Sequence, residues 1–269
     1  KQLESIGPQV YGKKINKDGF HNYFPRWSPD EKKIFFTSNE KREYSFFKGL
    51  FSYDLTDTVK EEEKIKLQTT VVRDFYSIHD SSGLIAFSSF KSRKSTLKPK
   101  DGGIRTKDIF VDTLPREKKF HNPFKKTERQ ISERKSLFTP AFSPSGDLLA
   151  CSQHDKDNYY LCIVDTTTKV VRRVYPDNTP SAAMKNIYAI DWSPDGRHIA
   201  VNYIDRDNRK IGIYDTLTRD FLVLCDTRHD ERDPRYSHDG KSIYFSSDRT
   251  GIYNIYRYEF ETKKLSQIT

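Results

Sequence analysis

One twelve-residue pattern recurs along this chain and constrains its fold more than any other feature. It reads Pro-Arg-Trp-Ser-Pro-Asp-Glu-Lys-Lys-Ile-Phe-Phe at 25–36 and Pro-Ala-Phe-Ser-Pro-Ser-Gly-Asp-Leu-Leu-Ala-Cys at 140–151. It returns as Ile-Asp-Trp-Ser-Pro-Asp-Gly-Arg-His-Ile-Ala-Val at 190–201 and Pro-Arg-Tyr-Ser-His-Asp-Gly-Lys-Ser-Ile-Tyr-Phe at 234–245. These four align without gaps. A fifth, eroded copy runs from Tyr76 to Phe87, with Gly83 one place late. The anchor positions are Trp27, Ile78, Phe142, Trp192 and Tyr236, spaced 51, 64, 50 and 44 residues apart. A repeat of about 40–50 residues is the spacing of a propeller blade.

Each copy spells the same local structure. An apolar strand ends at the anchor. Ser-Pro-Asp-Gly then makes a tight turn: Pro sets φ, Asp bonds nearby backbone, and Gly accepts positive φ. A second strand follows, which is a hairpin signal. A polar loop leads to a third strand such as 210–215, and a polar turn to an outer strand such as 221–224. Four strands joined in order form a meander, and meanders repeated around an axis form a β-propeller. We therefore expect an all-β fold, a single β-propeller domain over 1–269 with four-stranded antiparallel blades. Five blades are readable, starting near 23, 73, 138, 187 and 232. Lys1-Gln-Leu-Glu-Ser5 resembles the outer strand Lys264-Leu-Ser-Gln-Ile268. The chain is thus expected to begin inside a blade, and the complete ring to hold six.

Composition matters mainly through where the charge lies. The formal net charge is +9. Residues 91–107 carry Lys91, Arg93, Lys94, Lys98, Lys100, Arg105 and Lys107 against Asp101 alone, a net of +6. Residues 116–135 carry eight basic side chains against three acidic ones, a net of +5. The basicity thus belongs to two insertions, 90–107 and 116–135, and the scaffold is slightly acidic. Long loops in a compact domain are usually functional or disordered; a solvated mobile loop is the simpler reading, and a basic loop that steers an acidic partner is the functional one. We take the seven basic residues of the first insertion as candidate partner-binding residues. The second interleaves Phe120, His121 and Phe124 with lysines but has no base-reading motif, so nucleic acid is not the expected ligand. No apolar run reaches the ~18 residues of a membrane helix.

The repeats resemble the WD40-like Pro-Asp propeller repeat of the TolB family. The last copy is nearest to it, with Ser237-His-Asp-Gly240, then Ser247-Asp-Arg-Thr-Gly251, then Ile255-Tyr256. The resemblance implies a propeller of six or more blades. It also implies one of three roles. The first is a non-catalytic protein-binding platform in the bacterial periplasm or cell envelope, acting as a monomer. The second is the substrate-gating domain of a prolyl-oligopeptidase-type peptidase. The third is a carbohydrate- or small-ligand-binding propeller. Nothing in the chain matches the N-terminal α/β domain of TolB.

No catalytic motif is present: there is no Gly-x-Ser-x-Gly elbow, no His-Glu-x-x-His and no phosphate loop. The serines of the Ser-Pro-Asp-Gly copies recur once per blade and read as turn residues. We expect no enzyme activity. The densest mixed-charge cluster is His229-Asp-Glu-Arg-Asp233, in the loop leading into the last inner strand. We expect His229, Asp230, Arg232 and Asp233, joined by Asp191, to rim one mouth of the central channel. Carboxylates there offer hard oxygen ligands for a cation such as calcium; a solvated turn with weak ion pairs is the simpler reading. No metal is assigned and no other cofactor is expected. Cys151 and Cys162 fall on neighbouring strands, where a disulfide is one reading and buried free thiols the favoured one.

Overall fold

The computed structural model describes residues 22–38, 49–56, 63–65, 74–79, 81–89, 107–113, 129–156, 158–176, 186–205, 208–225 and 227–269. They hold twenty strands in five four-stranded antiparallel sheets, each in chain order. The first blade is β1 (Asn22–Trp27), β2 (Lys33–Ser38), β3 (Gly49–Asp54) and β4 (Glu63–Ile65). The second is β5 (Asp74–Ile78), β6 (Leu84–Ser89), β7 (Asp108–Thr113) and β8 (Arg129–Gln130). The third is β9 (Leu137–Phe142), β10 (Leu148–Asp155), β11 (Asn158–Asp165) and β12 (Val171–Tyr175). The fourth is β13 (Asn186–Trp192), β14 (His198–Asp205), β15 (Asn208–Asp215) and β16 (Phe221–Cys225). The fifth is β17 (Glu231–Tyr236), β18 (Ser242–Ser247), β19 (Asn254–Glu259) and β20 (Lys264–Gln267). The first strands of successive blades pack on one another, so they form the hub of a β-propeller.

The turn residues do what their chemistry dictates. In the fourth blade Ser193 Oγ donates to Asp195 Oδ1 and accepts from His198 N at 2.8 Å. Asp195 Oδ1 also accepts from Arg197 N at 3.0 Å. Ser28/Asp30 and Ser237/Asp239 repeat the arrangement, with hydroxyl-to-carboxylate distances of 2.5 Å. Gly146, Gly196 and Gly240 take positive φ of 78°, 72° and 70° at the fourth turn position. In the first blade Glu31 takes that place at φ 56°, a conformation a side chain disfavours. The hydroxyls of Ser28, Ser193 and Ser237 are thus committed to the turn.

These hydrogen bonds from serine hydroxyls hold the carboxyls of Asp30, Asp195 and Asp239 below the usual carboxylate range. A depressed folded value stabilises the fold above the unfolded aspartate pKa of about 3.9. That contribution disappears as pH falls through the folded value. The melting temperature is expected to drop progressively below about pH 4. The triple Asp→Asn variant at 30, 195 and 239 is expected to flatten that limb in a pH series of thermal melts.

Two features recur that the repeat pattern did not disclose. Every pairing of a first with a second strand contains a register shift. Phe24, Thr139 and Asp233 have positive φ at these bulges, and each precedes a proline. Second, the turns of the third, fourth and fifth blades are each clasped by the blade before. Cδ of Pro144 lies 3.6 Å from where a Cβ on Gly196 would stand, and Cδ of Pro194 lies 3.5 Å from that point on Gly240. At Gly146 the clasp is the His79 imidazole, only 2.8 Å away, so glycine is required there for space as well as for φ. His79 is fixed by Ser82 Oγ at 2.6 Å and the Pro144 carbonyl at 3.0 Å.

The anchors fill the gaps between blades. Trp192 packs among Ala141, Ala150, Ile163 and Val201, and its indole N–H donates to the Ala141 carbonyl at 3.1 Å. Phe142 and Ile78 are buried in the same way against the preceding blade. Trp27 is 56% exposed, whereas Trp192 is 7% exposed. On the far side of the fifth blade Ile255 is 41% exposed, while Ile211, at the same register of the fourth blade, is fully buried. Among the described residues, strands of the first and fifth blades share no packing comparable to that between successive blades.

One sequence expectation is corrected, and one, that of buried free thiols, is borne out. The stretch 116–135 is not wholly an insertion: its end carries β8 and the buried Ile131, whose N–H donates to the Ile109 carbonyl at 2.8 Å. A two-residue strand flanked by charges leaves no periodicity to read. Cys151 and Cys162 face each other across β10 and β11, but both are free thiols in the sheet interior. Burial pushes the Cys162 thiol up to about 12, and Cys151 is also raised well above the usual thiol range. Neither is poised to react.

Candidate functional site

The antiparallel meander gives the propeller two unlike faces. The tight turns lie on one, the turn face. The starts of first and third strands and the ends of second strands meet on the other, the loop face. Here non-repeated chemistry collects. Lys107 Nζ, just before β7, sits 4.8 Å over the Phe138 ring on β9. Phe138 lies 6.1 Å from Tyr159, which stacks on His154 at 4.7 Å and on Tyr188 of the next blade at 4.9 Å. All four rings are half-buried. Burial and then Tyr159 raise the Tyr188 hydroxyl, and nearby Arg209 pulls it back.

Arg209 links this aromatic stretch to the fifth blade. Its N–H donates to Asp230 Oδ1 at 3.1 Å, and its guanidinium lies 3.8 Å from Oδ2. Arg232 also binds Asp230 and stacks on Tyr253 at 4.5 Å, while the Tyr253 hydroxyl donates to Asp230 at 2.7 Å. Burial pushes the Asp230 carboxyl up, but the hydrogen bonds from Tyr253, Arg232 and Arg209 outweigh it and hold it below the usual range. His229 Nδ1 is 3.8 Å from Asp248, whose Oδ1 accepts from Asp230 N at 2.9 Å. A continuous row of cations and rings therefore crosses four blades.

Glu231, inside the same cluster, has a different place. Its side chain is fully buried, where Leu137 and Ile187 stand in the third and fourth blades. Oε1 accepts from Arg249 at 2.8 Å and from Thr227 at 2.9 Å. Oε2 is buried with no hydrogen-bond partner. Arg249 is held over Tyr256 at 4.5 Å and by Ser247 Oγ at 3.1 Å. The repeat alignment carried the signal for this buried charge, since an acidic residue occupies a position that is apolar in the neighbouring copies.

The structure brings His229, Asp230 and Arg232 together and leaves Asp233 exposed at the bulge. It does not bring Asp191 to them. Asp191 lies near the end of β13, on the turn face, and accepts from Arg235 at 3.0 Å and from Tyr236 N at 2.8 Å. Ser77 plays the same part for Phe142 N at 3.1 Å, so Asp191 is an inter-blade tie. Among the described residues no three His, Cys, Asp or Glu side chains gather to hold a metal ion. Of the basic insertion, Lys107 alone lies within the described residues; Lys91, Arg93, Lys94, Lys98, Lys100 and Arg105 lie outside them. The strands on either side, ending at Ser89 and starting at Asp108, are paired and open onto the loop face. Sequence reasoning missed Phe138, His154, Tyr159, Tyr188 and Arg209, because they come from five strands of two blades that only the folded sheets and their packing bring together.

The sequence model of the TolB beta propeller domain matches residues 127–269. The chain belongs to the TolB β-propeller family. The TolB likeness extends to solved structures. A TolB of Agrobacterium tumefaciens superposes with a TM-score of 0.68 at 17% identity, over 92% of this chain and 80% of that one. TolB of Acinetobacter baumannii gives 0.66 at 16% identity, over 91% of this chain and 53% of its own, so this chain spans about half of it. A puromycin-hydrolyzing peptidase of Mycobacterium tuberculosis gives 0.60 at 12% identity, over 93% of this chain and 37% of its own. At such identities the likeness is one of fold. No curated protein sequence matches the chain. Among the described residues no helix is long and apolar enough to cross a membrane.

Proposed function

We propose that this chain is a non-catalytic TolB-like propeller that binds a protein partner through its loop face, in the bacterial cell envelope. The observation that carries this reading is the segregation of chemistry. Polar groups on the turn face repeat from blade to blade and tie the scaffold together, whereas the row from Lys107 to Tyr253 is not repeated and faces outward. Loops and strand ends on a rigid scaffold are where binding residues concentrate. The envelope setting rests on the resemblance to periplasmic TolB.

The test is affinity capture from an envelope fraction with the wild-type chain and a Lys107→Glu/Arg209→Glu variant. A partner identified by mass spectrometry that is retained by the first and lost by the second is the expected result. Recovery of no partner that depends on this face counts against the reading. A second reading, a substrate-gating propeller of a larger peptidase, is favoured by the superposition on one portion of the mycobacterial peptidase. A hydrolase domain in the reading frame beyond Thr269 would establish it.

A further inference from the structure

The seams between blades follow a rule of size. Each anchor packs in one cluster with a residue of the preceding blade's second strand, its socket. Ile78 goes with Phe35, Phe142 with Ala86, Trp192 with Ala150 and Tyr236 with Ala200. The four sockets share one register, opposite Arg26, Ser77, Ala141 and Asp191 of their own first strands. A small anchor thus goes with an aromatic socket, and an aromatic anchor with alanine. The socket's neighbour on the third strand follows suit. It is Ser52 beside Phe35, but Val111, Ile163 and Ile213 beside the alanines.

The same register in the fifth blade holds Tyr244, opposite Arg235 and beside Arg257. This socket is of the aromatic and polar kind found in the first blade. Arg257 is tied within its own blade, donating to Ser242 Oγ at 2.9 Å and to Glu259 Oε1 at 3.1 Å. A neighbour can therefore cover the face without stranding that charge. Exposed Ile255 lies on the same blade, at the register of buried Ile211. The open anchor at the other end, Trp27, is aromatic. We infer that one further four-stranded blade fits between the fifth and first blades, presenting a small aliphatic anchor to Tyr244 and an alanine socket to Trp27.

Volume decides against the two simpler occupants. Seams packed to the density of a protein interior have no space for an extra ring. Trp27 against Tyr244 puts two large side chains where each closed seam holds one. The first blade therefore does not close directly on the fifth. The first blade of a second copy is rejected for the same reason, although open ends related head to tail otherwise grow into filaments. The occupant is a sheet because every closed seam is sheet on sheet in one register, and the open faces continue that register. This surface is separate from the loop face and does not depend on what binds there.

The full chain carries two tryptophans, Trp27 and Trp192, so Trp192→Phe leaves Trp27 as sole reporter. In that parent, acrylamide is expected to quench Trp27 freely. Adding Tyr244→Ala and Arg257→Ile gives the fifth blade the socket of the fourth. Trp27 emission is then expected to shift to the blue and to lose quenching, through closure within a chain or docking between chains, which sedimentation velocity separates. Conversely, Trp27→Ile gives the first blade the anchor that Tyr244 accepts. Its sedimentation coefficient is expected to rise, while Trp27→Glu sediments as wild type. Trp27→Ile alters an exposed side chain, so it keeps the test open should the fifth-blade variant fold poorly. The complete reading frame is expected to encode a further module with Ile, Val or Leu at the anchor and Ala at the socket. Four results overturn the inference: Trp27 already shielded in the parent, no response from either redesigned seam, a further module with an aromatic anchor, or a frame with no further module.

Discussion

Trp192→Ala is expected to cost about 3–5 kcal/mol in denaturant unfolding, and Trp27→Ala under about 1 kcal/mol. The two residues occupy the same place in the repeat, so sequence alone assigns them equal weight. Their surroundings differ. Trp192 is 7% exposed between the third and fourth blades, and its indole N–H satisfies the Ala141 carbonyl. Removing it opens a cavity between sheets that relax only in part and leaves that carbonyl without its donor. Trp27 is 56% exposed, so little apolar area returns to water on truncation. Trp192→Phe separates the two losses: it keeps most of the packing and is expected to cost about 1 kcal/mol for the hydrogen bond, beyond a smaller cavity cost. Equal destabilisation at 27 and 192 would mean that something covers the front of the first blade.

The second large effect concerns the buried ion pair. Arg249→Ala is expected to destabilise the fold by about 3–5 kcal/mol, because it strands the Glu231 carboxylate in the interior. The pair itself is not expected to be worth that much. Desolvating both groups offsets most of their attraction, and Glu231 Oε2 stays without a hydrogen-bond partner. The double variant Glu231→Leu/Arg249→Met is therefore expected to be close to wild type or more stable. Leu137 and Ile187 already show that the position accepts an aliphatic side chain in two other blades. Chemical unfolding of the two single variants and the double variant forms the cycle. A double variant as unstable as Arg249→Ala would show that the pair contributes through contacts an aliphatic pair does not replace.

The fold was legible because its signal is repeated. Ser-Pro-Asp-Gly recurs with enough fidelity to locate every hairpin of the hub, including the eroded one at Gly83. The bulges were not legible, since a register shift depends on how two strands meet, although Pro25, Pro140 and Pro234 mark the place in three copies. The strand β8 was hidden by its shortness and by neighbouring charges. The candidate site was legible only where it is local. His229, Asp230 and Arg232 are adjacent in sequence and were found together. Phe138, Tyr159 and Tyr188 each look like ordinary strand residues, and Asp191 looked like part of the charged cluster until the direction of its strand placed it on the turn face.

The clasp between turns has one further meaning. His79 bears on the turn of the third blade, Pro144 on that of the fourth and Pro194 on that of the fifth, always forward along the chain. Each blade thus offers one kind of surface to its successor and another to its predecessor, as subunits do in a polar filament. Stability in such an array is a sum of nearest-neighbour couplings, not the property of one shared core. A defect in one turn is felt chiefly across the seams to its immediate neighbours.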